Sequence, residues 1–395
     1  MTAHGVPTSP LAMTAPTASA STPVSWWRTA FGDAEIRRVA EAIRDEHVSQ
    51  GAVTAEFERR LAECLGVPYV VATTSGSAAL LMALLALDVK PGDEVIVPNR
   101  AWIAAAHAPL LLGARVVLVD VEPDRPVMDV RQMEQQMTPR TKAVIPVHLN
   151  GRSVAMDDVR RVASAHGVRV VEDAAQALCS RNAAGMLGCQ SDLGCFSLSV
   201  AKLISTGQGG FVVTKDPNLY ERLIAVRTHG VRDLIEVAYT QVGFNFRFTD
   251  LQASIGMAQL ERLAERIASV KAIYARYTAA LGELPFLRLI PVDVGGGELP
   301  LYVEVLCPER ERLREFLASQ GIQTRPFYPD LHRAGYLANP RTFPRSEVYG
   351  EQGLFLPCGP AQPFENIDRV LSILRRYHPA HAERVSETLR THGQS

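Results

Sequence analysis

Asp173, Ser197 and Lys202 fall close together in the segment 170–210, VVEDAAQALCSRNAAGMLGCQSDLGCFSLSVAKLISTGQGG. Asp173 ends an apolar run, and a carboxylate there is costly to bury unless a cation or N–H donors face it. The same aspartate could equally cap a helix or join a surface ion pair. Lys202 lies among Val200, Ala201, Leu203 and Ile204. Such a setting lowers the proton affinity of an amine and makes it a Schiff-base nucleophile. A lysine so flanked can also lay its stem on apolar surface and reach water. Taken as a set, a carboxylate, a hydroxyl and an amine among small and apolar neighbours suit a cofactor pocket.

The elements that must hold these groups alternate in type. The run YVVAT (69–73) leads through Thr74-Ser75-Gly76-Ser77 into the apolar helix AALLMALLAL (78–87). Free N–H groups and the positive end of a helix dipole favour a phosphate at Gly76 and Ser77, although a tight strand-to-helix turn uses the same residues. EVIVP (94–98), RVVLVDV (115–121), KAVIPVH (142–148) and VRVVED (168–173) follow as short Val- and Ile-rich strands, with helices after Arg100, near 130–137 and near 157–166. This order predicts an α/β domain with a mostly parallel central sheet covered by helices on both faces. Ligands bind at the carboxyl edge of such sheets, just past each strand. Upstream, DAEIRRVAEAIRDE (33–46) sets Ile36, Val39, Ala40 and Ile43 on one helical face behind Asp33 as N-cap, and Phe57, Leu61 and Leu65 mark a second helix. A long helix is expected from Thr249 to about Leu281. A smaller α+β unit then contains LPLYVEV (299–305), a helix at 309–320, IQTRPFY (322–328) and a closing helix near 365–377. The expected divisions are an extension at 1–25, a large cofactor-binding domain at 26–270, a small domain at 271–380 and a polar tail at 381–395.

At 395 residues the chain has room for both units. Lys plus Arg number 41 against 42 for Asp plus Glu, so no bulk positive field invites nucleic acid. The longest apolar runs reach about ten residues where roughly twenty span a bilayer, and a soluble protein is expected. Cys64, Cys179, Cys189, Cys195, Cys307 and Cys358 lack framework spacing and read as reduced cytoplasmic thiols. Neither paired CxxC spacing nor neighbouring histidines support a metal site. Residues 1–25, rich in Ala, Thr, Ser and Pro, read as a disordered extension without the regions of a signal peptide.

A phosphate turn, an acid for a ring nitrogen and a downstream amine are what pyridoxal phosphate requires. Across about 35–377 the chain resembles the DegT/DnrJ/StrS sugar aminotransferases, a family of fold type I pyridoxal-phosphate enzymes. TTSGSAAL (73–80) is similar to the family's phosphate turn, which implies phosphate contacts from Gly76 and Ser77. PNRAW (98–102) resembles the segment whose aromatic residue covers the cofactor ring, implying that role for Trp102. VVEDAAQA (170–177) implies Asp173 at the pyridine nitrogen and Gln176 near the ring hydroxyl, and PVHLNG (146–151) matches a further block. GCFSLSVAK (194–202) implies phosphate binding by Ser197 and the covalent tether at Lys202. GFNFRFTDLQASIGMAQLERL (243–263) implies that Asn245 reaches the phosphate bound by a second subunit, hence a homodimer with shared sites. RPFYPDLH (325–332) makes Tyr328 and His332 candidate sugar-side residues, and Arg247, by type and position, is a candidate bidentate partner for a donor carboxylate.

The resemblance implies transfer of an amino group from glutamate or glutamine to a nucleotide-linked keto-sugar. A dTDP-4-keto-6-deoxyhexose on the route to an amino sugar of a secondary metabolite is the favoured acceptor. A keto-cyclitol or aminohydroxybenzoate-type pathway is the alternative within the family, because Leu203 stands where many members have Asn and Cys358-Gly359 departs from the commoner pattern. Sugar dehydratases of the same family place histidine where Lys202 stands, and a regulatory binding protein would need no complete set of Asp173, Ser197 and Lys202.

Overall fold

A computed structural model describes residues 22–231, 235, 237–239, 241–337 and 340–380. Most of the expected N-terminal extension (1–21) and the polar tail (381–395) lie outside the described residues. Strands β1 (Tyr69–Thr73), β2 (Glu94–Pro98), β3 (Arg115–Val119), β4 (Thr141–Val144) and β5 (Arg169–Asp173) come first, and β6 (Arg181–Asn182) and β7 (Gly185–Met186) form a small hairpin. Strands β8 (Leu193–Ser197) and β9 (Gly210–Thr214) complete a seven-stranded sheet of order β1-β9-β8-β5-β4-β2-β3. Only β9 runs against its neighbours. The near-continuous Val and Ile content of β2 and β5 follows from burial on both faces. The helix Gly76–Ala86 is apolar almost all round because it is enclosed, packing on β8, β9 and the helix Ala104–Leu111.

Strands β8 and β9 go beyond the sequence reading. LGCFS has little β-branched character; what holds it is Phe196 stacked on Phe211 across the pair at 4.6 Å and a glycine at 194. A Cβ built on Gly194 would lie 1.7 Å from the Gly188 carbonyl oxygen, so no other residue fits.

The smaller unit carries the antiparallel sheet β10-β11-β13-β12, formed by β10 (Arg288–Leu289), β11 (Val303–Leu306), β12 (Arg325–Pro326) and β13 (Gly353–Leu356). Among the described residues no helix is long and apolar enough to cross a membrane.

Three expectations are corrected. The extension expected through Ser25 stops earlier: Val24 is fully buried, bridges Ile322 in parallel, and donates to the Gly321 carbonyl at 2.9 Å. The expected apolar stripe of the helix Asp33–Arg44 is not the buried face: Ile36 is 67% and Ile43 56% exposed and Val39 and Ala40 are half-buried, while Glu35 and Ala42 are buried. Glu35 is satisfied there by donors from Gly32 and Gln259, so a carboxylate rather than an isoleucine fills the inner face, and Gly32 rather than Asp33 is the N-cap. The long helix after Thr249 is two, Asp250–Glu261 and Leu263–Leu281, broken at Arg262; the second packs on the helix Phe364–Leu374 of the smaller unit.

The two units are joined by charge as well as by apolar contact. Arg152, following the turn Leu149–Gly151, donates to Glu304 of β11 at 2.5 Å and to the carbonyls of Pro291 (2.8 Å) and Ile290 (3.0 Å), with both side chains buried. Removing one partner strands a buried charge. Arg152→Ala should lower unfolding free energy by about 3–5 kcal/mol in denaturant titration, and the double change Arg152→Met with Glu304→Leu should recover most of it.

Candidate active site

The carboxyl edge of the large sheet gathers the sequence-selected residues. Side chains alternate along β5, so its last two residues part company. Glu172 points into a sealed network, accepting from the backbone of Gly188 (2.8 Å) and Gln190 (2.7 Å), from Ser191 Oγ (2.9 Å) and from His148 Nε2 (2.9 Å). Burial alone would raise its pKa; these donors reverse that and lower it. Asp173 projects from the opposite face, within reach of the Lys202 charge. Its backbone is locked by Asp173 N–H to the Pro146 carbonyl and His148 N–H to the Asp173 carbonyl, both 2.9 Å. Of its carboxylate oxygens, Oδ1 accepts the Ala175 N–H at 3.0 Å, and Oδ2 has no donor among the described residues. Burial raises the Asp173 pKa against the lowering effects of that N–H and of Lys202. A buried carboxylate held by one N–H calls for a cationic partner.

Gly76 and Ser77 open the helix after β1, with Ser75 as N-cap accepting from Ala78 N–H at 3.0 Å. The first-turn N–H groups have no intrahelical acceptor. A Cβ on Gly76 would sit 2.9 Å from Ser197 Cβ, so glycine lets the helix start close on the end of β8. Ser197 Oγ makes only long contacts, donating to Ser199 Oγ and accepting from the Ser199 N–H, both at 3.4 Å, which leaves it available to a ligand.

Lys202 lies across the cleft from these groups. The cleft is lined by Gln176, Ser197 and Lys202 with Leu178, Leu299 and Leu301 among the apolar walls. Burial lowers the Lys202 amine to a pKa of about 8, with the Asp173 charge opposing the shift. Gln176 accepts the Asn150 N–H at 2.8 Å and lies beside the Tyr328 phenol, whose pKa burial raises and Gln176 partly lowers. Trp102 is 55% exposed at the mouth and meets the Tyr328 ring edge-on at 5.4 Å.

Three selected residues stand apart. Asn245 is exposed and accepts from Arg247 Nε at 3.0 Å, on a segment bridged to Thr73 and Thr228. His332 is engaged by protein on both ring nitrogens, Nδ1 by the Asn99 amide and Nε2 3.4 Å from Glu347. Sequence reasoning missed Tyr302, whose hydroxyl lies 3.4 Å from Lys202 Nζ, and Arg100, buried against Asp330 at 2.6 Å with its guanidinium 4.6 Å from the Tyr328 ring centroid. Their signals were present in LPLYVEV and PNRAW, but both were read for strand propensity or for the neighbouring tryptophan. The six cysteines are free thiols, and no group of His, Cys, Asp or Glu among the described residues could hold a metal ion.

An N–H turn and a serine for a phosphate, a carboxylate wanting a cation, and a neutralisable amine fit pyridoxal phosphate. Fold and site together define a fold type I pyridoxal-phosphate enzyme. Residues 30–375 match the DegT/DnrJ/EryC1/StrS aminotransferase family, and the chain belongs to that family. It is 35% identical over 334 residues to the GDP-perosamine synthase of Caulobacter vibrioides, covering 82% of this chain and 90% of that one. It is also 35% identical over 362 residues to the dTDP-3-amino-3,4,6-trideoxy-alpha-D-glucose transaminase of Streptomyces venezuelae, covering 90% and 93%. The crystal structure of S. venezuelae DesV superposes with a TM-score of 0.85 at 31% identity, covering 92% of this chain and all of that chain. The chain is therefore a pyridoxal-phosphate-dependent aminotransferase.

The amine should titrate accordingly. Reductive methylation of cofactor-free protein, followed by peptide mass across a pH series, should modify Lys202 with a midpoint near 8. A midpoint near that of a solvated lysine, about 10.4, would show the amine to be hydrated.

Proposed function

We propose that this enzyme moves an amino group from glutamate or glutamine to a nucleotide-linked keto-sugar. The proposed acceptor is a dTDP-4-keto-6-deoxyhexose, used in the cytoplasm on a route to an amino sugar of a secondary metabolite. The observation that carries the reading is the buried Lys202 amine lying close enough to the buried Asp173 carboxylate for each charge to act on the other. A family member that dehydrates sugars carries histidine at that position, and a regulator needs no such pair. The nucleotide-linked sugars in the names of both curated relatives support the acceptor class, and one of those names contains dTDP.

In this reading pyridoxal phosphate, when bound, supplies an electrophilic carbon and an electron sink for the carbanion left at the substrate carbon. The chain's own groups do the rest. Gly76, Ser77 and Ser197 hold the phosphate, while Trp102 and Gln176 fix the ring. Asp173 keeps the proton on the ring nitrogen, because a buried carboxylate is stabilised by the cation it faces. Lys202 would carry the covalent tether to the cofactor and, as a free amine, would take and return the proton at the substrate's α-carbon. Only the neutral amine can accept that proton, so turnover should rise with pH through the region of the Lys202 pKa. Arg247, Tyr328 and His332 are assigned to the substrate side.

The site is completed by a second copy, with Asn245 reaching the partner's phosphate. Supporting this, Asn245 is exposed beside the exposed Phe244, and Ile36 and Ile43 are left exposed among the described residues.

Purified enzyme with pyridoxal phosphate, glutamate or glutamine and a panel of 3-keto and 4-keto nucleotide sugars and keto-cyclitols, read by product mass, should aminate a dTDP-4-keto-6-deoxyhexose fastest. Preference for a GDP- or UDP-sugar would change the nucleotide, and preference for a cyclitol would move the enzyme to the other branch. Mixing inactive Lys202→Ala protein with an impaired Asn245→Ala protein under subunit exchange should restore part of the activity; exchanged heterodimers without recovery would remove the cross-subunit role.

A further inference from the structure

The loop that carries Lys202 is gripped through its backbone by residues far away in sequence. The Val200 carbonyl accepts from Thr29 Oγ1 at 2.5 Å and from Trp27 Nε1 at 3.0 Å, and Trp27 Nε1 also lies 2.7 Å from Thr29 Oγ1. The next carbonyl, that of Ala201, accepts the Tyr302 hydroxyl at 2.8 Å. Tyr302 is buried and wedged among aromatic rings, with centroids 5.4 Å from Trp27, 5.1 Å from Phe355 and 6.3 Å from Trp26.

A phenol has one proton. With that proton committed to Ala201, Tyr302 can only accept from the Lys202 amine 3.4 Å away. Burial also pushes the Tyr302 phenol well above its ordinary pKa, so it stays protonated and has no basic role of its own. An amine that spends one N–H on Tyr302 keeps its lone pair directed elsewhere, and the open direction is the cleft lined by Gln176 and Ser197.

We propose that Tyr302, with Thr29 bracing the preceding carbonyl, is a positioning residue that holds the free Lys202 amine with its lone pair toward the cleft whenever the covalent tether is open. The clamp is assembled from three separate stretches: the N-terminal segment, the loop after β8 and the strand region that enters β11. It needs no particular sugar, so its failure leaves the keto-sugar reading untouched, and failure of that reading leaves the clamp testable.

The test uses full-length protein loaded with pyridoxamine phosphate, in which the Lys202 amine is free. Tyr302→Phe keeps the ring and removes the acceptor. Reductive methylation of Lys202, read by peptide mass, should then show its midpoint moved to lower pH, since the hydroxyl no longer favours the ammonium form. In the donor half-reaction of the pyridoxal phosphate form, kcat should fall about fivefold, the size of one neutral hydrogen bond, with the donor KM unchanged. A packing role alone would not move the Lys202 midpoint. Thr29→Val provides an independent check if Tyr302→Phe does not accumulate folded, with slower methylation at Lys202 and the same loss confined to kcat. A wild-type Lys202 midpoint together with wild-type kcat in Tyr302→Phe, or wild-type methylation and kcat in Thr29→Val, would overturn the proposal.

Discussion

The pocket depends on keeping two opposite charges near each other without letting them touch. Burial pushes Asp173 toward its neutral acid and Lys202 toward its neutral amine, and each charge partly reverses the other's shift. A direct ion pair would be the simple solution, yet none joins them among the described residues. If it formed, the carboxylate would no longer be available to a ring cation, nor the amine as a nucleophile. Separation is therefore imposed by the backbone. Asp173 is fixed at the end of β5 by bonds to Pro146 and His148 in the segment after β4, and Lys202 is fixed by a loop whose carbonyls are already taken. The pleat of β5 contributes as much as either bond. By sending Glu172 into four donors on the opposite face, it anchors the strand that presents Asp173.

What could be read in the sequence follows from this division. Asp173 and the Gly76-Ser77 turn were legible because each lies at the carboxyl end of a strand readable from its Val and Ile content, whereas Ser197 and Lys202 were singled out by residue type and by the resemblance of GCFSLSVAK to the family. The parallel core was legible for the same reason, since buried strands leave runs of Val and Ile. Tyr302, Thr29 and Trp27 were not legible, because they act on backbone carbonyls 101 to 173 residues away and leave no local spacing. Strand β8 was hidden by its composition: stacking of Phe196 on Phe211 and the room left by Gly194 outweigh weak propensity. The helix Asp33–Arg44 shows a different limit. Its apolar period is real, but a period identifies a stripe without saying which surface covers it, and within the protomer the covered face belongs to Glu35 and Ala42.

The smaller unit reaches the site through two tyrosines, and each is held by a device that spans the two units. Tyr328 meets Gln176 on one side, while Arg100 stacks on its ring and donates to its carbonyl at 2.5 Å. Arg100 is in turn neutralised by Asp330, two residues beyond Tyr328. Tyr302 lies just before β11, whose Glu304 closes the buried pair with Arg152. Replacing such pairs with apolar groups of similar volume is often neutral or stabilising, so stability alone does not account for two of them at this boundary. An apolar boundary would hold the units together but would tolerate sliding, because dispersion contacts have no direction. A guanidinium fork bound to a carboxylate and to carbonyls accepts one geometry. Here that geometry places one phenol against the Lys202 amine and another beside Gln176 and Trp102, so the precision of the site comes from bonds made outside it.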